Sequence, residues 1–207
     1  MFNIPALSSL AWGLVVLQDV EDPVEVFKFR FEQQAGKVYE VSDFDRASLV
    51  VSQVLIGQNV SKVVLADMPE EYRRRLEERM TNAGIQVIEL EDNLGSEVSR
   101  VINLADAGVS VAEFAVADVG AVVEITQDDK DRLVSSLPKL HISLVRRDKI
   151  IGRFEDVADS IRETIMKRGN CVISFIGGPS RTGDIELKLV LGVHGPHQVH
   201  VIIFGES

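Results

Sequence analysis

The chain has 207 residues, 45% of them hydrophobic and 26% charged, with a formal net charge of −10. That length carries one sizeable α/β domain and is short for two, and the balance is that of a globular chain rather than a disordered one. So acidic a chain lacks the broad basic face of a generic nucleic-acid binder.

In chain order, Ile4 to Leu17 comes first and is largely apolar. It has no Lys or Arg ahead of Lys28, so the positive region of a signal sequence is missing, and it is too short to span a bilayer. It reads as a helix or strand that packs on the body of a cytoplasmic, soluble protein. Asp22-Pro23 then opens a helix, with Val24, Phe27, Phe31 and Ala35 on one face and Gly36 as its stop. Lys37–Val41 is a short strand. Ser42 or Asp43 caps a helix that runs to about Ile56. Ser61–Ala66 reads as a parallel strand buried on both faces. Pro69–Asn82 is a charged amphipathic helix. Its Arg73-Arg74-Arg75 run lies among Glu70, Glu71, Glu77 and Glu78 and reads as a solvated face with i,i+4 pairs. Ile85–Leu90 is the next strand. Short connections between alternating β and α segments predict a parallel sheet with right-handed crossovers.

Glu97–Ala105 reads as helix. Val111–Thr126 holds two β-rich runs broken at Asp118-Val119-Gly120, which predicts a strand, a tight turn and a second strand. Asp131–Ser136 is a helical turn, and His141–Arg146 a strand whose histidine reads as a satisfied core residue. Asp156–Lys167 is a helix with Val157, Ile161, Ile165 and Met166 inward. Cys171–Ile176 is a buried strand with Cys171 at its edge, and Val199–Phe204 closes the chain. A lone thiol excludes a disulfide framework and cannot hold an iron–sulfur cluster, which needs about four thiolates.

Chemistry concentrates between the last two strands. Gly177-Gly178-Pro179-Ser180-Arg181-Thr182-Gly183-Asp184-Ile185-Glu186 is a glycine-rich turn crowded with polar side chains. Glycines let backbone approach another group closely, and Arg181 offers a planar cation suited to carboxylate or phosphate. Ile185, Leu187, Leu189, Leu191 and Val193 alternate with period two, which suits a strand. Leu187, Val190 and Leu191 also share a helical face, and a short helix over about Asp184–Leu191 is the preferred reading. Ser180 or Thr182 would cap it, and its free N–H groups would favour an anion. A purely structural turn accounts for the caps and for Asp184 and Glu186 near the dipole, but not for Arg181. The run is neither a Walker loop nor a dinucleotide fingerprint. His194, His197 and His200 are spaced in threes, but Gly195-Pro196 interrupts them, so no metal site is assigned. His194, beside the turn Gly195-Pro196, is a candidate hydrogen-bond donor to the ligand. Asp118 would pair with Asp184 or Glu186 if their two turns meet at one sheet edge. Spacing alone yields no Ser-His-Asp or Cys-His arrangement.

The string GGPSRTGDIE with LVLGVHGP after it resembles the lactate-utilisation protein C family, the LUD-domain proteins. So does LPKLHISLV, which is similar to a family LP-x-x-HI-x-x-V. The resemblance covers most of Phe27–Phe204. The family form has Ala where this chain has Gly183. Where relatives carry Ala-Glu-Thr-Gly-Thr, this chain has Ala117-Asp118-Val119-Gly120-Ala121, which loses two hydroxyls and shortens the carboxylate. The resemblance implies a three-layer α/β sandwich with a mostly parallel central sheet, like those of CoA-transferases and ribose-phosphate isomerase, over residues 1–207. It also implies a cluster-free component of an iron–sulfur-dependent system that oxidises L-lactate to pyruvate. Iron–sulfur partner proteins would supply the cofactors, this chain none. A small anionic ligand would bind Gly177, Gly178, Ser180, Arg181, Thr182, Asp184, Glu186, His194 and Asp118. A stand-alone enzyme for a phosphorylated or CoA-linked metabolite, or an organic-acid-binding module, are the alternatives. Whether the chain is itself catalytic stays open, as does a homo-oligomer; neither nucleic acid nor membrane is a partner.

Overall fold

A computed structural model describes residues 22–90, 95–183, 189–191 and 195–205, with backbone alone at 96, 181–183 and 189–191. The apolar segment Ile4–Leu17 lies outside them. The first helix, α1 (Pro23–Gln33), starts as its sequence predicts: the Asp22 carboxylate accepts from the Val24 N–H at 2.9 Å. Phe27 and Phe31, one turn apart, are fully buried and stack with centroids 5.4 Å apart. Its exit differs from expectation. Ala35, not Gly36, takes the left-handed conformation, with φ 64°. Gly36 is required because the Phe31 ring lies over it: a Cβ there would fall 2.1 Å from the ring.

Strand β1 (Lys37–Val41) follows, then α2 (Phe44–Gly57), whose cap is Asp43, accepting from Arg46 N–H at 2.8 Å. Strand β2 (Lys62–Leu65), helix α3 (Glu70–Asn82) and strand β3 (Gln86–Ile88) complete the regular alternation. In α3 the arginine run is a paired, half-exposed face, with Arg73 facing Glu77 and Arg75 facing Glu78 and Asp45. A 3-10 turn leads into α4 (Val98–Ile102), shorter than the helix expected over 97–105. The chain then enters a strand the sequence reading missed, β4 (Ala107–Val111). β5 (Phe114–Val116) and β6 (Ala121–Thr126) flank the expected turn at Asp118–Gly120. After α5 (Asp129–Ser136) come β7 (Leu140–Arg146), the two-residue β8 (Ile150–Ile151), α6 (Val157–Arg168) and β9 (Val172–Ile176). The chain ends in β10 (Arg181–Gly183), β11 (Leu189–Leu191) and β12 (Gln198–Phe204).

The six-stranded sheet runs β1-β12-β7-β4-β2-β3 with every pairing parallel. Side chains alternate across it. Val63, Leu65, Val109, Ile142, Leu144 and Ile202 pack on α2 and α3 through Val51, Leu55, Leu76 and Met80. The opposite face packs on α1, α4 and α5, completing a three-layer α/β arrangement. On that face Val145, Val199, Val201 and Ile203 also meet a second, four-stranded sheet, β8-β5-β6-β9, through Ala115, Ala117 and Val122. The outer side of the second sheet is closed by α6, where Val157 is buried and Ile161 partly so.

Three expectations change here. β9 is not a buried strand: it pairs antiparallel with β6 at the end of the small sheet, and Val172 and Phe175 are 42% and 44% exposed. Only the N-terminal part of α6 packs inward, because the small sheet is narrow; Ile165 and Met166 are exposed. The helix expected over Asp184–Leu191 is instead a β-hairpin in its described parts, with Arg181 opposite Leu191 and Gly183 opposite Leu189. The period-two alternation through Leu189 and Leu191 outweighs the helical face, and cross-strand bonding satisfies a backbone that a short, glycine-bounded helix would leave open. Residues 184–188 lie outside the described part.

Two predictions follow from this packing. Phe27→Ala should cost about 3–5 kcal/mol in chemical denaturation, through the cavity it leaves, whereas Phe175→Ala should cost about 1 kcal/mol or less. Equal losses would contradict the edge position of β9. His200 is buried on β12, with Tyr39 Oη 3.3 Å from its Nδ1. Burial, with Lys37 and His141 nearby, pushes its pKa down to about 4. Its neutral form therefore stabilises the fold fully above the unfolded value of about 6.5, and that stability is lost as pH falls toward about 4. Tm measured across that window should fall in the parent and fall less in His200→Phe; parallel curves would refute the assignment.

Candidate functional site

Strand order places one cleft at the carboxyl edge of the large sheet, the edge where open α/β sheets take ligands. It lies beyond the ends of β2, β3, β4 and β7 and is walled by the Glu124–Thr126 end of the small sheet and by α3 and α5. Its volume is about 1240 Å³. Leu65, Ala66 and Asp67 enter from β2, Val111 to Glu113 from β4, and Glu124 to Asp128 from β6. Arg73, Arg146, Lys149 and Arg168 lie along it together with Glu71, Glu77, Glu89 and Asp131. Most of these cations are committed. Arg73 donates to the Ala66 carbonyl at 2.9 Å, Arg146 grips Asp148 through two bonds of 2.8 Å, and Arg168 meets Glu113 at 2.6 Å. Asp131 accepts from the Asp67 N–H at 2.7 Å, yet burial, with Asp67 and Asp128 nearby, raises its carboxyl above the usual range.

The floor is polar. Ser110 on β4, Glu124 on β6 and His141 on β7 meet between the two sheets, with Ser110 and Glu124 reaching the cleft and His141 fully buried behind them. Each is a buried polar residue in a largely apolar strand, and Glu124 and Ser110 lie on the inward register that their neighbours dictate: Glu124 follows Val122, and Ser110 precedes Ala112. Ser110 Oγ donates to Glu124 Oε1 and lies 2.8 Å from His141 Nε2. His141 Nε2 is also 3.3 Å from Glu124 Oε1. Helix α5 closes the cluster from one side. Its approach depends on Gly108, where a Cβ would fall 2.0 Å from the Val134 carbonyl oxygen.

Glu124 is 3% exposed, and burial alone would push its carboxyl up. Hydrogen bonding and electrostatics from His141, with hydroxyls from Ser110 and Ser135, more than reverse this and hold it below the ordinary carboxylate range. The hydrogen count then follows. An ionised Glu124 only accepts, so the Ser110 hydroxyl donates to it, and the His141 Nε2–H donates to Ser110. Among the described residues His141 Nδ1, Ser143 Oγ and Thr126 Oγ1 have no hydrogen-bond partner. The arrangement is not a hydrolase triad. There the carboxylate orients the imidazole through its far nitrogen; here carboxylate and imidazole converge on the same hydroxyl. The sequence reading of His141 as a satisfied core histidine thus holds for Nε2 and not for Nδ1.

The glycine-rich turn is elsewhere. The Ser180 N–H donates to the Pro196 carbonyl at 3.0 Å, and His197 N–H to Lys139 at 2.8 Å, which places the turn where β7 and β12 begin, at the amino edge. Gly177 and Gly178 are pressed on the end of α1: a Cβ on them would lie 2.5 Å from Gln34 Oε1 and 2.8 Å from the Gln34 carbonyl oxygen. Gly178 has φ 133°, a conformation that favours glycine. The close approach expected of these glycines is therefore to the chain's own helix. Arg181 and Thr182 lie in β10, so neither Ser180 nor Thr182 caps a helix there, and among the described residues of the turn no helix begins. Asp184, Glu186 and His194 lie outside the described residues. The turn bearing Asp118 does meet the glycine-rich turn: Gln34 Nε2 donates to Val119 and Gly120 carbonyls at 3.0 Å. The Asp118 carboxylate itself accepts from the Phe154 N–H at 3.0 Å. His197 is exposed and His200 buried, so those two do not converge.

Among the described residues no helix is long and apolar enough to cross a membrane. Comparison with known proteins matches residues 24–204 to the LUD domain. The chain is 31% identical over 160 residues to lactate utilization protein C of Geobacillus sp. (strain WCH70), covering 74% of this chain and 66% of that protein. With the protein of the same name from Bacillus subtilis (strain 168) identity is 33% over 142 residues, 66% of this chain and 59% of that one. With that of Bacillus licheniformis it is 34% over 131 residues, 62% and 54%. The chain thus spans between 54% and 66% of the length of these relatives. A crystal structure of a DUF162 family protein from Deinococcus radiodurans superposes with a TM-score of 0.63 at 18% identity, covering 88% of this chain and 96% of that one, which shows the same α/β fold. Sequence match, sheet order and fold likeness agree: the chain belongs to the LUD domain family.

Proposed function

We propose that this chain serves lactate utilisation as a component that carries no iron–sulfur cluster of its own, and that the cleft at the carboxyl edge is where it takes a small organic acid. The observation that carries the reading is the likeness to proteins named lactate utilization protein C over 74% of the chain. The cleft supports it, with an acceptor-lined polar floor and cations along its wall. In this reading partner proteins bring the clusters and the oxidation of L-lactate to pyruvate belongs to the assembly, because one thiol supplies one of about four ligands. The glycine-rich turn and its Arg181 are then a docking edge rather than the acid site.

A second reading is favoured by size. At about 1240 Å³ the cleft exceeds the roughly 300–1,000 Å³ typical of small-ligand sites, so a stand-alone enzyme acting on a phosphorylated or CoA-linked metabolite would also be accommodated.

Deleting the gene in its host should slow growth on L-lactate and not on glucose, and tagged chain from lactate-grown cells should retain iron-containing proteins. Equal growth on both carbon sources, with no iron in the retained fraction, overturns the first reading. Turnover of a phosphate ester or CoA thioester by the purified chain selects the second.

A further inference from the structure

The hydrogen-bond directions on the cleft floor are set, and they decide what kind of oxygen the floor accepts. Ser110 Oγ has one hydrogen and two lone pairs. Its hydrogen goes to Glu124 and one lone pair takes the His141 Nε2–H, at 2.8 Å. What these contacts leave toward the cleft is one lone pair on Ser110 and the acceptor capacity of Glu124 beyond the Ser110 and Ser135 hydroxyls. Ser110 and Glu124 themselves therefore present acceptors and no donor there. A 2-hydroxy acid satisfies them by donating its O–H. A 2-oxo acid, whose C2 oxygen only accepts, leaves two acceptors facing each other unless the chain reverses.

We propose that Ser110, Glu124 and His141 form a one-proton selector in which a 2-hydroxy acid binds the resting floor and a 2-oxo acid binds only after the floor takes up one proton. This rests on the cleft being the acid-binding site of the preceding section. With the added proton on Glu124, its O–H donates to Ser110, and the Ser110 hydroxyl turns to donate to the oxo oxygen. No bond to carbon forms or breaks, no electron moves, and the proton comes from solvent. The selectivity has a physical basis in the cost of leaving buried polar groups unpaired, which exceeds that of a lost apolar contact.

Charged and polar groups face the Glu124 region from several elements. His141 comes from β7, Asp131 and the Ser135 hydroxyl from α5, Glu113 from the connection between β4 and β5 and Arg168 from α6, Glu113 and Arg168 being paired with one another at 2.6 Å. From β4 and β9 come hydroxyls only: Ser110, and Ser174 opposite Glu124 in register. His200 of β12 bears on His141 from the far face of the sheet. Asp131 is the other buried carboxyl on the cleft, and its carboxylate is already committed to the Asp67 N–H. The carboxyl in contact with the floor hydroxyl is that of Glu124, so the proton that reverses the chain is carried there.

Calorimetric titration of the whole chain with L-lactate and with pyruvate, in two buffers of different ionisation enthalpy between roughly pH 6.5 and 8.5, reads the proton directly. Pyruvate should bind with uptake of about one proton, and its Kd should rise about tenfold per pH unit; L-lactate should bind with none and a flat Kd. Glu124→Gln, which cannot ionise, should abolish the uptake. If that variant does not fold, Ser110→Ala keeps the Glu124–His141 contact and should abolish it too. Binding of both acids with no uptake and the same pH dependence overturns the selector and leaves the cleft as an acid site. Uptake that survives Ser110→Ala overturns the role given to Ser110. Failure of both acids to bind at millimolar concentration overturns the acid-site reading, and the selector with it.

Discussion

A carboxylate buried to 3% exposure ties the two sheets of this protein together, and the rest of the structure is arranged so that it can stay ionised. Glu124 belongs to the small sheet, Ser110 and His141 to the large one. An isolated charge there would cost several kcal/mol, far more than any single apolar contact returns. The hydroxyl and the imidazole offset that cost only if β4, β6 and β7 keep their register to within a hydrogen bond. A slip of one residue on any of the three would turn its polar group to the opposite face and bring an apolar side chain to the carboxylate. Gly108 serves the same constraint from α5, since any side chain there would lift the helix that closes the cluster.

The large sheet was legible because its signal is local. Strands β1, β2, β7 and β12 are apolar runs with polar or glycine punctuation, α1 and α2 carry their caps in the sequence itself, and α3 carries its periodic face there. Where local signals conflict or fade, tertiary context decides. Ala107–Val111 contains Gly and Ser, weak strand formers, and becomes a strand because β2 and β7 flank it, each with one ladder edge to pair. Val172–Ile176 reads as a buried strand by composition. It is an edge strand because no further strand pairs beyond it in its sheet. The segment after Ser180 had both periods, and strand pairing won where the structure describes it.

The site was less legible. Ser110, Glu124 and His141 are separated by 14 and 17 residues, and no motif spacing links them. They meet because β6 doubles back across the face on which β4 and β7 run parallel. A usable signal was nonetheless present: each is a polar side chain in a largely apolar strand, and Glu124 and Ser110 have apolar inward neighbours two residues away in Val122 and Ala112. A buried polar group needs a partner. Three such groups in one α/β chain are more economically satisfied by each other than by three separate arrangements. Reading His141 alone, as a core histidine, missed this because it asked for one partner instead of asking which other strands lacked one.

The glycine-rich turn is the contrasting case, a dense local motif whose residue types suit a ligand and whose described part also has a structural task. Its glycines let two chain reversals, at 117–120 and 177–180, close on the same glutamine at the end of α1. That contact joins the amino edge of the large sheet to the far end of the small one, while the cleft opens at the other edge. The small sheet is therefore fixed at one end by backbone contacts around Gln34 and, nearer the cleft, by Glu124. With both ends held, β6 cannot shift along its length, and the distance from Ser110 to the carboxylate is set by the sheet rather than by side-chain rotamers. In this chain the reversal at 117–120 makes its close approach to α1 with Val119 in the turn and Ala121 just after it. The trio of polar residues on the cleft floor is more tightly constrained, because removing any one takes a hydrogen-bond partner from a buried polar neighbour.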